Sequence, residues 1–244
     1  MNNLPKSCSR CGRTYEELEG GPLILYGHKG SLCSDCSKIF QNEKDQDFLE
    51  FTGNKSIKRG VELILKGLNE EYGLEIEDQH FVDTPRRVAR AYSEIFRGIK
   101  NTKQQVENIL STAFDSDQDE MIIVSGIHVF SMCPHHLLPV EYFVDVAYIP
   151  KGKVLGLSKI PRLVELLCKR PIIQEDVTTE IVKYLMTLNP LGAASRIEGQ
   201  HFCMRMRGVN KPESTAITTS IAGAFKEAAT RKEFMDHIKM GKRL

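Results

Sequence analysis

No apolar run in these 244 residues approaches the roughly 20 consecutive residues needed to cross a bilayer. Met1 to Ser7 also lack a charged start followed by an apolar stretch, the mark of an export leader. The chain is therefore expected in the cytoplasm, with no membrane partner. Charge of one sign is lacking too: 33 Lys and Arg stand against 32 Asp and Glu, a formal net charge of +1. Bulk attraction to nucleic acid is thereby excluded, and any anion must be held by a local cluster. No internal repeat or low-complexity tract is present. What the chain does have is 41% hydrophobic and 27% charged residues. That is the composition of a soluble globular protein with room for one substantial domain and a small appendage.

Seven cysteines are present, and without an export signal they read as metal ligands or reduced thiols rather than disulfides. Cys8-x-x-Cys11 and Cys33-x-x-Cys36 form a four-cysteine zinc pattern. A segment of about 40 residues cannot build a sufficient apolar core, and a tetrathiolate metal supplies the missing folding energy. This zinc is expected to be structural. Two C-x-x-C pairs argue against redox chemistry, which needs one exposed pair. Lys6, Arg10, Arg13, Lys29 and Lys38 are balanced by Glu16, Glu17, Glu19 and Asp35, which favours a protein partner over nucleic acid. The run Cys8-Ser-Arg-Cys-Gly12 with Gly21-Pro22 and Cys33-Ser-Asp-Cys36 resembles the zinc-binding domain of the ClpX unfoldase. The resemblance implies a module that dimerises and holds other proteins.

A second group of metal-type side chains comprises Cys133 and His136, in Ser131-Met-Cys-Pro-His-His-Leu137, and Cys203, in Gln200-His-Phe-Cys-Met-Arg-Met-Arg207. Two thiolates and one imidazole suit zinc, and three protein ligands leave a fourth position open, as catalytic zinc requires. The bland alternative is that these are ordinary buried thiols, and that reading is accepted for Cys168. His135 and His201 are spare histidines. On an extended segment, neighbours point to opposite faces, so His135 and His136 should do different jobs.

Residues 1–45 are expected to form the small module and the start of a charged linker, and 46–244 the main domain. Ile57, Val61, Ile64, Leu65 and Leu68 recur at helical spacing and predict a core-facing helix stopped by Gly73. Thr84 and Pro85 predict an N-cap and first-turn proline, with Gly98 ending that helix. Met121 to Phe130, Val140 to Ile149 and Ser195 to Arg207 predict strands. On the last, alternation puts His201, Cys203, Arg205 and Arg207 on one face and Phe202, Met204 and Met206 in the core. Helices are predicted at Pro161 to Lys169 and Val177 to Leu188, and Thr230 with Glu233 predicts a capping box for a terminal helix. The fold class is α+β.

From about Ile57 to Ile238 the chain resembles GTP cyclohydrolase I. The resemblance rests on Asp83-Thr-Pro-Arg-Arg-Val-Ala89, Ser131-Met-Cys-Pro-His-His-Leu137, Ala147-Tyr-Ile-Pro150 and Gly156-Leu-Ser-Lys-Ile-Pro-Arg162. It continues through Arg170-Pro-Ile-Ile-Gln-Glu175, His201-Phe-Cys203, Met206-Arg-Gly208, Ser214-Thr-Ala-Ile-Thr-Thr-Ser220 and Thr230-Arg-Lys-Glu-Phe234. It implies a tunnelling fold (T-fold) with N-terminal helices, sites formed between subunits, and a homo-oligomer, expected to be a decamer. GTP is the implied substrate, converted to 7,8-dihydroneopterin triphosphate and formate at the start of pterin and folate synthesis. Cys133, His136 and Cys203 would hold the catalytic zinc that activates water, in addition to the structural zinc of Cys8, Cys11, Cys33 and Cys36. His135 and His201 would carry protons, and Ser158 would assist at the ribose. Glu175, with Gln174 beside it, would read guanine, while Lys159, Arg162 and Arg207 would hold the triphosphate with Arg87 from a neighbouring subunit. The family usually has glutamate where this chain has Pro134, which removes a carboxylate and changes the loop. That departure leaves a paralogue with altered rate or purine preference as one alternative. An oligomeric scaffold recruiting proteins through the zinc module is the other.

Overall fold

The computed structural model describes residues 55–241, which divide into two compact units between Arg90 and Ala91. Cys8, Cys11, Cys33 and Cys36, the linker and the expected boundary at 45/46 lie outside the described residues. In the first unit, α1 spans Lys55–Tyr72. Gly73 ends it as predicted: at φ +69° its N–H donates to Asn69 O at 2.9 Å, a left-handed stop that glycine adopts without strain. The apolar stripe of α1 is not core, however. None of its residues is buried, and Ile64 is 63% exposed. Amphipathic spacing identifies a face that wants a partner but not where the partner is. The next helix, α2, spans Thr84–Ile95. Thr84 is its first helical residue and donates its hydroxyl back to His80 O at 3.3 Å instead of capping.

The second unit is built on a four-stranded antiparallel sheet in the order Ile122–Met132 (β2), Pro139–Ile149 (β3), Gly192–His201 (β5) and Ala216–Gly223 (β6). After α3 (Thr102–Leu110) come β1 (Ala113–Asp115), β2 (Ile122–Met132), β3 (Pro139–Ile149) and β4 (Lys153–Leu155). Then follow α4 (Lys159–Cys168), α5 (Gln174–Met186), β5 (Gly192–His201), the single helical turn α6 (Phe202–Arg205), β6 (Ala216–Gly223) and α7 (Ala228–Gly241). The short strands β1 and β4 pair separately. Among the described residues, no helix is long and apolar enough to cross a membrane.

Alternation along β3 divides the two layers. Val140, Tyr142, Val144 and Val146 pack with Leu163, Val164 and Leu167 of α4 and Val177, Ile181 and Leu185 of α5. Fully burying a Val or Leu contributes about 1.5–3 kcal/mol, so this layer is the main source of stability. The opposite face begins a second, smaller core, where Ala147 and Ala194 lie beneath Phe225, Phe234 and Ile238. Beyond α7 that face is open among the described residues, and Phe130 is 50% exposed. A bulge keeps β2 in phase: the register shifts between Val124 and Ile127, with Gly126 at φ +69°. Ile122 and Val124 face the main core before it, and Ile127 and Val129 after it. The Gly126 N–H donates to Asp145 Oδ1 at 3.0 Å, and Asp145 Oδ2 accepts from Arg196 at 3.1 Å.

Three local expectations are corrected. The predicted strand from Ser195 ends at His201, and Phe202–Arg205 turns into a helix. Alternation therefore does not align Arg205 and Arg207 with His201, and Met204 and Met206 are exposed rather than core. Thr230 lies inside α7, which begins at Ala228, so it is no cap. Gly98 lies within a 3-10 turn at Arg97–Ile99. An added Cβ there would meet Leu166 O at 2.3 Å, so close approach of backbone, not helix termination, requires the glycine.

Candidate metal centre and the groups around it

The hairpin loop between β2 and β3 builds half of the site. Cys133 N–H donates to Leu138 O and Leu137 N–H to Cys133 O, both at 2.9 Å, with Leu137 at φ +50°. Residues 134–136 form a turn and not the extended segment expected. In a helix-like turn, residues three apart share a face, which is why Cys133 and His136 meet. Cys133 Sγ lies 3.6 Å from His136 Nδ1 and 3.8 Å from His135 Nδ1. Pro134 fits this loop, because the closing hydrogen bonds use the N–H groups of residues 133 and 137.

The other half comes from the end of β5. Val140 pairs with His201, beside the hairpin end where Met132 pairs with Pro139. The helical turn after His201 carries Cys203. The ligand atoms of Cys133, His136 and Cys203 all lie within 4.8 Å of one another, a group that leaves His135 outside. A tetrahedral zinc with ordinary bond lengths separates a thiolate sulfur and an imidazole nitrogen by about 3.6 Å. The Cys133 to His136 distance and the donor set therefore fit zinc. The thiol of Cys203 is pushed up by burial and by Cys133, with Arg207 pulling it down.

The start of α5 is seated against the same corner by Ile172 N–H, which donates to Met132 O at 3.2 Å. Gln174 is 2% exposed and Glu175 is exposed. Gln174 Oε1 lies 2.9 Å from His201 Nε2, while Gln174 Nε2 donates to Ile197 O, Ala216 O and Thr218 Oγ1, each at 3.1 Å. Burial lowers the His201 pKa, and the nearby Glu175 carboxylate raises it. Glu175 and Arg207 thus stand close enough to act electrostatically on His201 and Cys203. Ser158, Lys159 and Arg162 sit together at the N-terminus of α4, making no hydrogen bond or ion pair with the Cys/His group. Arg87 belongs to the first unit, where its Nε donates to Asp83 at 3.4 Å. Cys168 is fully buried, its thiol pushed up to about 12 by desolvation, as an inert core cysteine should be.

Sequence reasoning missed Tyr142. It is fully buried, its ring centroid stands 6.1 Å from that of His201, and its hydroxyl has no hydrogen-bond partner among the described residues. Its strand partner is Gly199, where an added Cβ would meet Gln174 Oε1 at 2.2 Å and Tyr142 Cε1 at 2.9 Å. A glycine inside a strand marks such close approach, and Gly199 was the available signal.

A family model described as GTP cyclohydrolase I matches residues 57–239. The GTP cyclohydrolase 1 of Streptomyces griseus is 46% identical over 159 residues, which cover 64% of this chain and 78% of that protein. That of Carboxydothermus hydrogenoformans is 44% identical over 181 residues, covering 73% and 93%. That of Bacillus subtilis is 40% identical over 185 residues, covering 75% and 96%. With most of its described length matched by one family model, and with relatives covered almost end to end, the chain belongs to the GTP cyclohydrolase I family of enzymes.

Proposed function

We propose that this chain hydrolyses and rearranges GTP to 7,8-dihydroneopterin triphosphate and formate, the entry to pterin and folate synthesis. The observation that carries the reading is the convergence of Cys133, His136 and Cys203 within 4.8 Å, beside His201. Cys133, His136 and Cys203 would hold zinc, and the ion would supply the Lewis acidity that makes water nucleophilic near neutral pH. His201 holds or delivers a proton at a purine nitrogen, and His135, 3.8 Å from Cys133 Sγ, is the second proton carrier. Glu175 offers an acceptor-only carboxylate to the N–H groups of guanine N1 and N2. Adenine, with an acceptor at N1, is refused. Lys159, Arg162 and Arg207 have no ion-pair partner among the described residues and are available to a triphosphate. Ser158 stands beside Lys159 for the ribose, and Arg87 is contributed from a neighbouring subunit.

The assembly is a homo-oligomer, with a ring of ten subunits as the expected size. The exposed stripe of α1, the outer edges of β2 and β6, which pair with no further strand among the described residues, and the exposed Phe130 and Ile217 are surfaces a lone subunit leaves unsatisfied. Cys8, Cys11, Cys33 and Cys36 hold a second, structural zinc in a module that binds a protein partner, and the enzyme works in the cytoplasm. The test is incubation of purified, zinc-loaded protein with GTP, reading fluorescence of the oxidised pterin and release of formate. Absence of both products from correctly assembled protein overturns the proposal. Light scattering that finds an active monomer overturns the oligomer.

A further inference from the structure

We infer that Gln174 is a positioning residue that acts through His201, locking the imidazole as its Nε2–H tautomer and leaving Nδ1 as the ring nitrogen with a free lone pair. The inference rests on the reading of His201 as a proton carrier. It replaces direct guanine contact as the task of Gln174, because the Gln174 side chain is buried and its amide is fully engaged within the chain.

The amide orientation follows from its surroundings. One end of Gln174 faces two main-chain carbonyls, Ile197 O and Ala216 O, and the Thr218 hydroxyl, each at 3.1 Å. Carbonyl oxygens only accept, so the atom facing them must be the NH2 group. Exchanging nitrogen and oxygen would set an amide oxygen against two carbonyl oxygens at the same distance. The remaining end, Oε1, lies 2.9 Å from His201 Nε2. An amide oxygen also only accepts, so His201 Nε2 carries a hydrogen and donates it. Nδ1 is then the ring nitrogen left with a lone pair.

The orientation is also braced from behind. Thr178 Oγ1 donates to Gln174 O at 2.7 Å and lies 2.6 Å from Thr218 Oγ1. Gly199 supplies the space: any side chain there would meet Gln174 Oε1 and Tyr142. A group with the task of contacting a ligand would not be 2% exposed and held by three acceptors. A group that orients a histidine through its second nitrogen needs this rigidity, since a tautomer or ring rotation in error removes the reacting atom from reach.

Two measurements on the assembled, zinc-loaded enzyme test the inference. Solid-state 15N spectra of histidine-labelled protein, with His201 assigned by difference against His201→Ala, should show a protonated Nε2 and a bare Nδ1. A bare Nε2 overturns the inference without recourse to any Gln174 variant. Gln174→Met, which keeps the length but removes the acceptor, should lower kcat on the order of 10²-fold while KM for GTP changes by less than about threefold. Thr218→Val, which disturbs the same packing but leaves two carbonyls holding the amide, should keep kcat within about threefold of wild type. A Gln174→Met enzyme with raised KM and retained kcat restores the guanine-contact role and sinks the positioning one. Equal kcat losses in the Met and Val variants show a merely structural role. Failure of wild-type protein to open GTP is a different result, and it strikes the proposed function rather than this inference.

Discussion

Replacing Tyr142 by phenylalanine probes the packing around the Cys133, His136 and Cys203 group without moving any of its donor atoms. The ring is fully buried and its hydroxyl finds no hydrogen-bond partner among the described residues. An unpaired buried hydroxyl costs about 1–3 kcal/mol, and phenylalanine keeps the ring's volume. In metal-free protein, Tyr142→Phe should therefore raise stability by roughly 1–2 kcal/mol. For a unit of this size that is a Tm increase of about 2–8 °C. The change should also depend on pH. Burial, reinforced by Cys168, Glu175, Cys133 and Cys203, raises the phenol pKa above its ordinary value of 10.0. A folded pKa raised above the unfolded one gives stability fully present below about pH 10 and lost as pH rises beyond it. The advantage of the variant should then widen above that pH, by up to about 1.4 kcal/mol per unit. Calorimetry of chelator-treated wild type and variant at about pH 8 and about pH 11 reads both effects. A variant less stable than wild type at the lower pH would show that the hydroxyl has a partner. A gap that stays constant to the higher pH would show that it ionises as freely as in the unfolded chain.

Cys203→Ser should lose zinc from the catalytic centre and activity while keeping its circular dichroism; a fully metallated, active variant refutes the ligand set. Glu175→Gln should raise KM for GTP at least about tenfold with an unchanged Tm, because the side chain is exposed; unchanged KM refutes the guanine contact. Asp145→Ala removes an acceptor from both Arg196, 8% exposed, and the bulge N–H of Gly126. Arg196 keeps Glu198 at 2.9 Å, so the cost in urea denaturation should be about 2 kcal/mol, and a loss below about 1 kcal/mol would show that the buried pair contributes little.

Elements whose pattern is decided locally were legible in the sequence. Alternation in Val140 to Ile149 gave β3 its two faces, and apolar spacing gave α4 and α5 within a turn of their bounds. That Cys133, His136 and Cys203 come together was also legible from their residue types, but the backbone that joins the first two was not. The loop is a turn and not a strand, and it is the turn that brings residues 133 and 136 together. The extension of β5 to Arg207 failed because period-two spacing in Phe202, Met204 and Met206 mimics a strand where the chain turns helical and exposes both methionines. The α1 stripe was correctly seen as apolar, but spacing carries no information on whether a face is buried in its own chain. Gln174 was read through its neighbour Glu175. Its burial depends on carbonyls from β5 and β6, far away in sequence.

The geometry of the centre is set by main-chain pairing more than by the chemistry-bearing residues themselves. Met132 pairs with Pro139 and Val140 with His201, so the hairpin loop and the end of β5 arrive at one corner. Because strand side chains alternate, a slip of one residue in the β3 to β5 register would turn His201 to the open face and bring Gln200 or Phe202 in its place. That register is held across ten pairs, from Val140↔His201 to Ile149↔Gly192, and on the open face by the ion pair between Asp145 and Arg196. The same pairing sets Tyr142 opposite Gly199, which leaves room for Gln174 to reach His201. Main-chain pairing thus decides which nitrogen of His201 meets Gln174 Oε1. A change in that pairing should alter turnover before it alters binding.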